Sequence, residues 1–335
     1  MKIPALPGSA AWRALLLATG LTSAPSAAWT QEAAPRPSLI VVAGAGGGND
    51  YDAAFTKWLE NWRKAGVKGG ARVTAIGLPS VEEECLTPLR TALQQESATG
   101  EAPLWLVLLG HGTHDGREPK FNLRGADLTA SELAEWLKPM QRPVVVVAAF
   151  SASGAFLAPL SAPGRIVITA TKTGSENNYA RLGRYLSEAI AEEAADLDHD
   201  GQTSLLEAWL RAAQQTADFY QSEGRLATEH TILDDNGDGR GTPADWFAGL
   251  RVVKKASTGG LSDGLRAHQM HLVPGTAEHE LPPVVRQERD TLELEIAQLR
   301  EAKSTMTEGE YFAKLEAVML RLARVYRDAK TPRAD

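Results

Sequence analysis

Asp196, Asp198 and Asp200 stand at alternate positions, followed at once by Gly201 and then by Gln202, Ser204 and Glu207. Carboxylates at every second residue can curl around one side of a cation. A glycine after the third permits the sharp turn that brings the chain back. Gln202 offers its main-chain carbonyl, Ser204 a hydroxyl that reaches an ion through water, and Glu207 closes the shell with two oxygens. A set of about six to eight hard oxygens of this kind selects Ca2+. A weaker pattern lies downstream, in Asp234, Asn236, Asp238, the Arg240 carbonyl and Asp245. Its closing residue is the shorter aspartate, and Pro243 with the glycines at 237, 239 and 241 fits poorly with helical flanks. A plain Asp/Gly turn is the competing reading there.

The first loop matches the EF-hand pattern at its first, third, fifth, sixth, ninth and twelfth positions. A helix is expected before it, over about 179–195, and the stripe Leu205, Leu206, Trp209, Leu210 continues as a helix after it. Such a loop requires that helix–loop–helix setting. Thr203 stands where an aliphatic residue is usual and argues against close pairing with a second hand. His199 should point outward.

A different chemistry attaches to two short segments. Gly110-His111-Gly112 follows the apolar run 104–109, and Phe150-Ser151-Ala152-Ser153-Gly154 follows the run 144–149. An imidazole beside an alcohol is the pairing that makes a nucleophile. The elements that must position it are continuous apolar runs of strand length at 38–43, 104–109 and 144–149, with further strand candidates at 72–78 and 165–171. Continuous apolarity, with no alternation, predicts strands buried on both faces. Between them come helical patterns: Phe55, Trp58, Leu59, Trp62 and Ala65; residues 88–95; and a helix opened by the Thr129/Glu132 capping box and running to 137. The chain therefore predicts an α/β fold with a mostly parallel sheet flanked by helices, whose ligands bind at the carboxyl ends of strands.

These residues carry a resemblance. A histidine in a His-Gly pair ending one strand, and Phe150-Ser151-Ala152-Ser153-Gly154 ending the next, resemble the legumain-type and caspase-type cysteine peptidases over about 38–195. The resemblance implies a caspase-like sheet, with the EF-hand as an insertion or extension, and it places the family's histidine at His111. Its nucleophilic cysteine falls at Ser151. A thiol ionises readily beside an imidazole, whereas a serine hydroxyl is a far weaker acid and needs an oriented histidine and an oxyanion hole. Asp115 is the nearby candidate for the orienting carboxylate, and the Gly-x-Ser-x-Gly elbow is absent. The expectation is a domain with impaired chemistry that binds peptide or protein. An active Ser151–His111 hydrolase, a shift of the nucleophile to Ser153, and a calcium-dependent structural or adhesion protein remain open.

Other residues weigh less. Cys85 follows Glu82, Glu83 and Glu84, which would raise a thiol pKa, and it is expected to pack beneath the next helix. Residues 44–48 hold four glycines but lack the third glycine of a dinucleotide fingerprint, so a cleft loop is favoured over a phosphate cradle. His268, His271 and His279 are too loosely spaced for a metal site and are expected to be solvated.

Composition sets the bounds. The 335 residues are 43% hydrophobic and 23% charged, enough to bury a core, and the net charge of −7 without a basic run argues against nucleic acid as a partner. A single cysteine excludes an internal disulfide framework. Residues 1–28 form a basic start, a short apolar run and a small-residue stretch, the pattern of a signal peptide cut near Ala28, which implies secretion or a periplasmic location. No stretch is long enough to span a bilayer. Along the mature chain the expected parts are the α/β domain at 38–190, the EF-hand region at 183–250, an exposed linker at 251–280 and a helical region at 281–330. In that last region Leu292, Ile296, Leu299 and Met306, then Phe312, Leu315, Met319, Leu322 and Tyr326, repeat near heptad spacing. With the Thr307/Glu310 capping box between them they predict an antiparallel αα-hairpin, for self-association or for docking on its own domain.

Overall fold

The computed structural model describes residues 36–78, 84–254 and 261–330, so the expected signal segment lies outside the described residues. β1 (Ser38–Ala43) leads through α1 (Asn49–Lys68) to β2 (Arg72–Ile76), α2 (Leu86–Gln94) and β3 (Leu104–Gly110). Three short strands follow: β4 (Gly112–His114), β5 (Pro119–Phe121) and β6 (Leu128–Thr129). Then come α3 (Ala130–Leu137), β7 (Val144–Phe150), α4 (Gly154–Leu160), β8 (Arg165–Thr169), α5 (Leu182–Ala189) and α6 (Leu205–Ser222). β9 (Ile232–Asp234) and β10 (Thr242–Pro243) close the sheet. The chain ends in α7 (Leu265–His268), α8 (Thr276–Glu280), α9 (Pro283–Glu301) and α10 (Glu308–Lys330).

The sheet order is β10-β9-β8-β7-β3-β1-β2. The five strands from β2 to β8 are parallel, and β9 and β10 add antiparallel at one edge. Every residue of β1, β3 and β7 is buried, as continuous apolar runs require when helices cover both faces. Alternate residues sort into two cores. Leu39, Val41, Trp105, Val107 and Val145 meet Phe55, Trp58 and Trp62 of α1 and Leu205 and Trp209 of α6. Ile40, Val42, Leu106 and Val146 meet Leu89 and Leu93 of α2, Leu133 and Leu137 of α3, and Phe156 of α4.

Three features differ from expectation. The helix expected over 179–195 is confined to α5, with a single 3-10 turn at Glu193–Ala195. Its start is set by the buried Glu229 carboxylate, which accepts the Arg181 and Leu182 N–H groups at 2.8–3.1 Å and satisfies donors that a helix leaves open. After His111, where no element is expected, β4, β5 and β6 form their own antiparallel sheet. Finally, the described part of the expected exposed linker is packed. Ala267 and Leu272 are fully buried, and Asp263 and Glu278 are nearly so. Its polar residues are buried in pairs: Asp263 accepts from the Asp235 and Asn236 N–H groups, and Glu278 meets Arg289 in a two-pronged ion pair.

α9 and α10 form the expected hairpin around Leu292, Ile296, Val318 and Val325, with the Thr307/Glu310 capping box opening α10. Among the described residues no helix is long and apolar enough to cross a membrane.

Candidate functional site

β3 and β7 pair in register, with Gly110 opposite Phe150. His111 and Ser151 therefore leave adjacent strands at the same level, on the carboxyl edge of the sheet. The two side chains meet different partners there. The Ser151 hydroxyl, 2% exposed, donates to the Gly112 carbonyl and accepts from the Gly112 N–H, each at 3.0 Å. Gly112 has to be glycine, because a Cβ there would lie 2.5 Å from both the Phe150 ring and the Ser151 carbonyl. Ala152 turns the chain with φ 59°, a left-handed conformation that strains a residue with a side chain, and its N–H donates to the Glu176 carbonyl at 2.8 Å. Ser153 is fully buried and its hydroxyl accepts from the Thr171 N–H at 3.2 Å, so it is not the presented alcohol.

His111 is half-buried among rings. Tyr51 and Phe55 meet it edge-on at 4.9 and 5.2 Å between centroids, and Tyr179 lies at 5.8 Å. Burial pushes its pKa below the ordinary imidazole value, opposed in part by a hydrogen bond to the Gly46 main chain. Among the described residues no hydrogen bond joins Asp115 to the imidazole. Asp115 is exposed, accepts from the Arg117 N–H at 3.0 Å, and is held below the usual carboxylate range first by that bond. Among the described residues no hydrogen bond joins His111 to Ser151.

The neighbouring loops are firmly tied. The Gly46 N–H points to Asp52 Oδ1 at 3.2 Å, and Asp52 pairs with Arg124 at 3.1 Å, so a carboxylate occupies this glycine loop where a phosphate would need an open N–H. Cys85 is buried with Leu89 and Leu93, as expected. An imidazole–carboxylate contact not expected from the sequence joins His230 Nδ1 to Glu176 Oε1 at 2.5 Å, on the loop that receives the Ala152 N–H.

In the 196–207 loop, oxygens of Asp196, Asp198 and Asp200 lie within 4.8 Å of one another. Gly201 turns at φ 90° and His199, exposed as expected, at 59°. Asp196 Oδ2 accepts from the Gly201 N–H at 3.0 Å, while its Oδ1 is buried with no hydrogen-bond partner. Desolvation pushes the Asp196 carboxyl up, but the N–H groups of Gly201, His199 and Asp200 outweigh it and hold it below the ordinary range. Glu207 closes the loop from the far end. Its Oε1 accepts from the Leu197 and Asp198 N–H groups and its Oε2 from the Ser204 N–H and hydroxyl. Ser204 differs from expectation, because it is buried and caps α6 in a Ser204/Glu207 capping box. The Gln202 side chain bonds Asp200 and the Gly275 N–H. His268, expected to be solvated, sits with Nε2 3.0 Å from Asp198 Oδ2 and within 4.8 Å of the Asp198 and Glu207 oxygens. His268 and Asp198 stand 70 positions apart, which hid that contact from sequence spacing.

The second loop is a hairpin turn between β9 and β10, with Leu233 opposite Thr242. Asp234 accepts from the Gly237 and Gly239 N–H groups at 2.9 and 3.1 Å, Asn236 from Asp238, and Asp238 from Arg240. Each side chain holds the backbone two to five residues ahead, as Asx turns do. Asp245 falls in a 3-10 turn (Ala244–Trp246) beyond β10. The acidic clusters among the described residues do not include Asp234, Asp238 and Asp245. The bonds from the Gly239, Asp238 and Arg240 N–H groups repeat those that the Gly201, Asp200 and Gln202 N–H groups make in the first loop, here on a strand hairpin and not between helices.

No family model matches the chain, and no curated protein matches it. It is similar to solved structures that include the Drosophila initiator caspase Dronc (12% identical, covering 61% of this chain and 80% of that one, TM-score 0.38). They also include protein GSU0716 from Geobacter sulfurreducens (12% identical, 60% and 93% covered, TM-score 0.41) and caspase-1 from Spodoptera frugiperda (12% identical, 60% and 86% covered, TM-score 0.38).

Proposed function

We propose that this chain is an exported, calcium-stabilised domain of the legumain and caspase type that binds peptide or protein without cleaving it. One observation carries the reading: both hydrogen-bonding capacities of the Ser151 hydroxyl that matter for catalysis are engaged by Gly112, and the imidazole beside it is not a partner. A nucleophilic serine must hand its proton to a base, and here that proton goes to a backbone carbonyl. The ligand surface is the exposed Tyr51 and the half-buried Tyr179 beside His111, backed by the buried Phe55 ring. Tyr51 is the exposed member and offers an apolar shelf to a peptide side chain.

The donor set of the 196–207 loop fits Ca2+, because oxygens converge there and Asp196 Oδ1 is a buried acceptor left without a donor. Asp196, Asp198, Asp200 and Glu207 would hold the ion. Its contribution is to tie the end of α5 to the start of α6; no bond-making step belongs to it. At the millimolar calcium typical outside cells, a site of roughly 10⁻⁴–10⁻³ M is about half to nine-tenths loaded and acts structurally. Export rests on the pattern of residues 1–28.

A peptide library in calcium tests the reading. Retention of a subset of peptides without cleavage is expected. Turnover that disappears in both Ser151→Ala and His111→Ala would overturn it.

A further inference from the structure

α10 carries two apolar rows at heptad spacing. Tyr311, Val318 and Val325 are buried, and the two valines pack against Leu292 and Ile296 of α9. The neighbouring row, Phe312, Leu315, Met319, Leu322 and Tyr326, keeps the alternating three- and four-residue steps of a coiled-coil seam. Yet Phe312 is 52% exposed, Met319 48% and Tyr326 40%, while Leu315 and Leu322 are half-buried at the lip of the hairpin. The helix has 23 residues, about 34 Å, enough for three heptads of contact. An ordered apolar row of this length on an otherwise charged helix marks a surface made to be covered.

Charge indicates what covers it. Residues 308–316 hold Glu308, Glu310 and Glu316 against Lys314, whereas residues 321–328 hold Arg321, Arg324 and Arg327 against Asp328. Laid parallel, two copies of this helix would set arginines beside arginines. Laid antiparallel, the acidic half of each faces the basic half of the other, and the same patch serves both chains, as a two-fold contact demands. We propose that the Phe312–Met319–Tyr326 row is the dimer interface of this chain, formed by two α10 helices packed antiparallel about Met319. Met319 lies on the two-fold axis and meets its own copy, Phe312 meets the partner's Tyr326, and Leu315 meets the partner's Leu322. The two hairpins together make a four-helix bundle, the usual way to bury such rows.

Sedimentation velocity on the full chain across the micromolar range should show a dimer. Met319→Glu sets two carboxylates together on the axis and should weaken association by about tenfold or more, with helical circular dichroism unchanged. Leu320→Glu alters a residue just as exposed, 52%, but turned about 100° off the seam, and should remain dimeric. Cysteine cross-linking fixes the direction, and Cys85 is buried and does not compete. Met319→Cys should form an interchain disulfide under mild oxidation. Phe312→Cys should not do so alone, but should link to the partner when mixed with Tyr326→Cys. A monomeric wild type, a Leu320→Glu chain that dissociates as readily as Met319→Glu, or self-linking by Phe312→Cys would overturn the proposal. So would a monomer that floats with anionic vesicles, since the row would then be covered by lipid.

Discussion

Ser151 and Gly112 are joined twice, through the donated hydroxyl proton and the accepted backbone N–H, each at 3.0 Å. This arrangement makes the hydroxyl part of the strand-end architecture. The bond spans β7 and the start of β4, and it holds the short three-stranded sheet against the tip of the main one.

A structural hydroxyl predicts a stability loss on its removal. Ser151→Ala leaves the buried Gly112 N–H and carbonyl without their partner, which costs about 1–3 kcal/mol. Chemical denaturation should register that drop with an unchanged m value. A Ser151→Ala chain as stable as wild type, or more so, would mean the hydroxyl is held for another purpose.

Calcium should act through Asp196. A ligand bound only by the native state raises stability by RT ln(1 + [L]/Kd), about 1.4 kcal/mol at ten times Kd. EDTA should therefore lower the melting temperature of the wild type, and Asp196→Asn should remove most of that response. Asp196 is preferable to Glu207 as the site of change because Glu207 also caps α6 and accepts four hydrogen bonds without any ion. Identical melting curves with and without EDTA would rule out an occupied loop.

The buried carboxylates Asp235 and Asp263 give a stability change of known sign with pH. Burial pushes Asp263 up to about 7, helped by the nearby Asp235 charge and opposed by the Thr242 hydrogen bond. Burial also pushes Asp235 up to about 6, against the N–H groups of Ala267, Gly264 and Arg266. In the unfolded chain both titrate near 3.8. Between about pH 4 and 7 the folded state therefore binds more protons than the unfolded one, and stability falls as pH rises through that window. Asp263→Asn keeps an acceptor for the Asp235 and Asn236 N–H groups but removes the titration. Thermal melts from pH 5 to pH 8 should decline less steeply in this variant, and an unchanged slope would contradict the assignment.

Much of the fold was visible in residue pattern, for identifiable reasons. β1, β3 and β7 are buried on both faces, so each reads as an unbroken apolar run, whereas the edge strand β2 is half-exposed and mixes Arg72 and Thr74 with its apolar residues. The capping boxes at Thr129/Glu132 and Thr307/Glu310 have a fixed spacing and were found with it. β4, β5 and β6 are two or three residues long and leave no periodicity. The segment around Asp263 and Glu278 looked like a linker because it is polar, but its polar groups are buried in mutual pairs. In α10 the rows Tyr311/Val318/Val325 and Phe312/Met319/Tyr326 share one spacing, so periodicity alone does not say which row faces α9. At the site, the level of His111 with Ser151 followed from strand order, whereas the turn of the Ser151 hydroxyl to Gly112 depends on a backbone contact that no motif encodes. His268 reached the 196–207 loop from a distant segment for the same reason.

The central claim is that Ser151 is not a nucleophile. Its most direct test is intact-mass analysis of the wild-type chain after exposure to a serine-directed fluorophosphonate in calcium at neutral pH. The account predicts an unmodified mass; an adduct mapped to Ser151 and abolished by His111→Ala would contradict it.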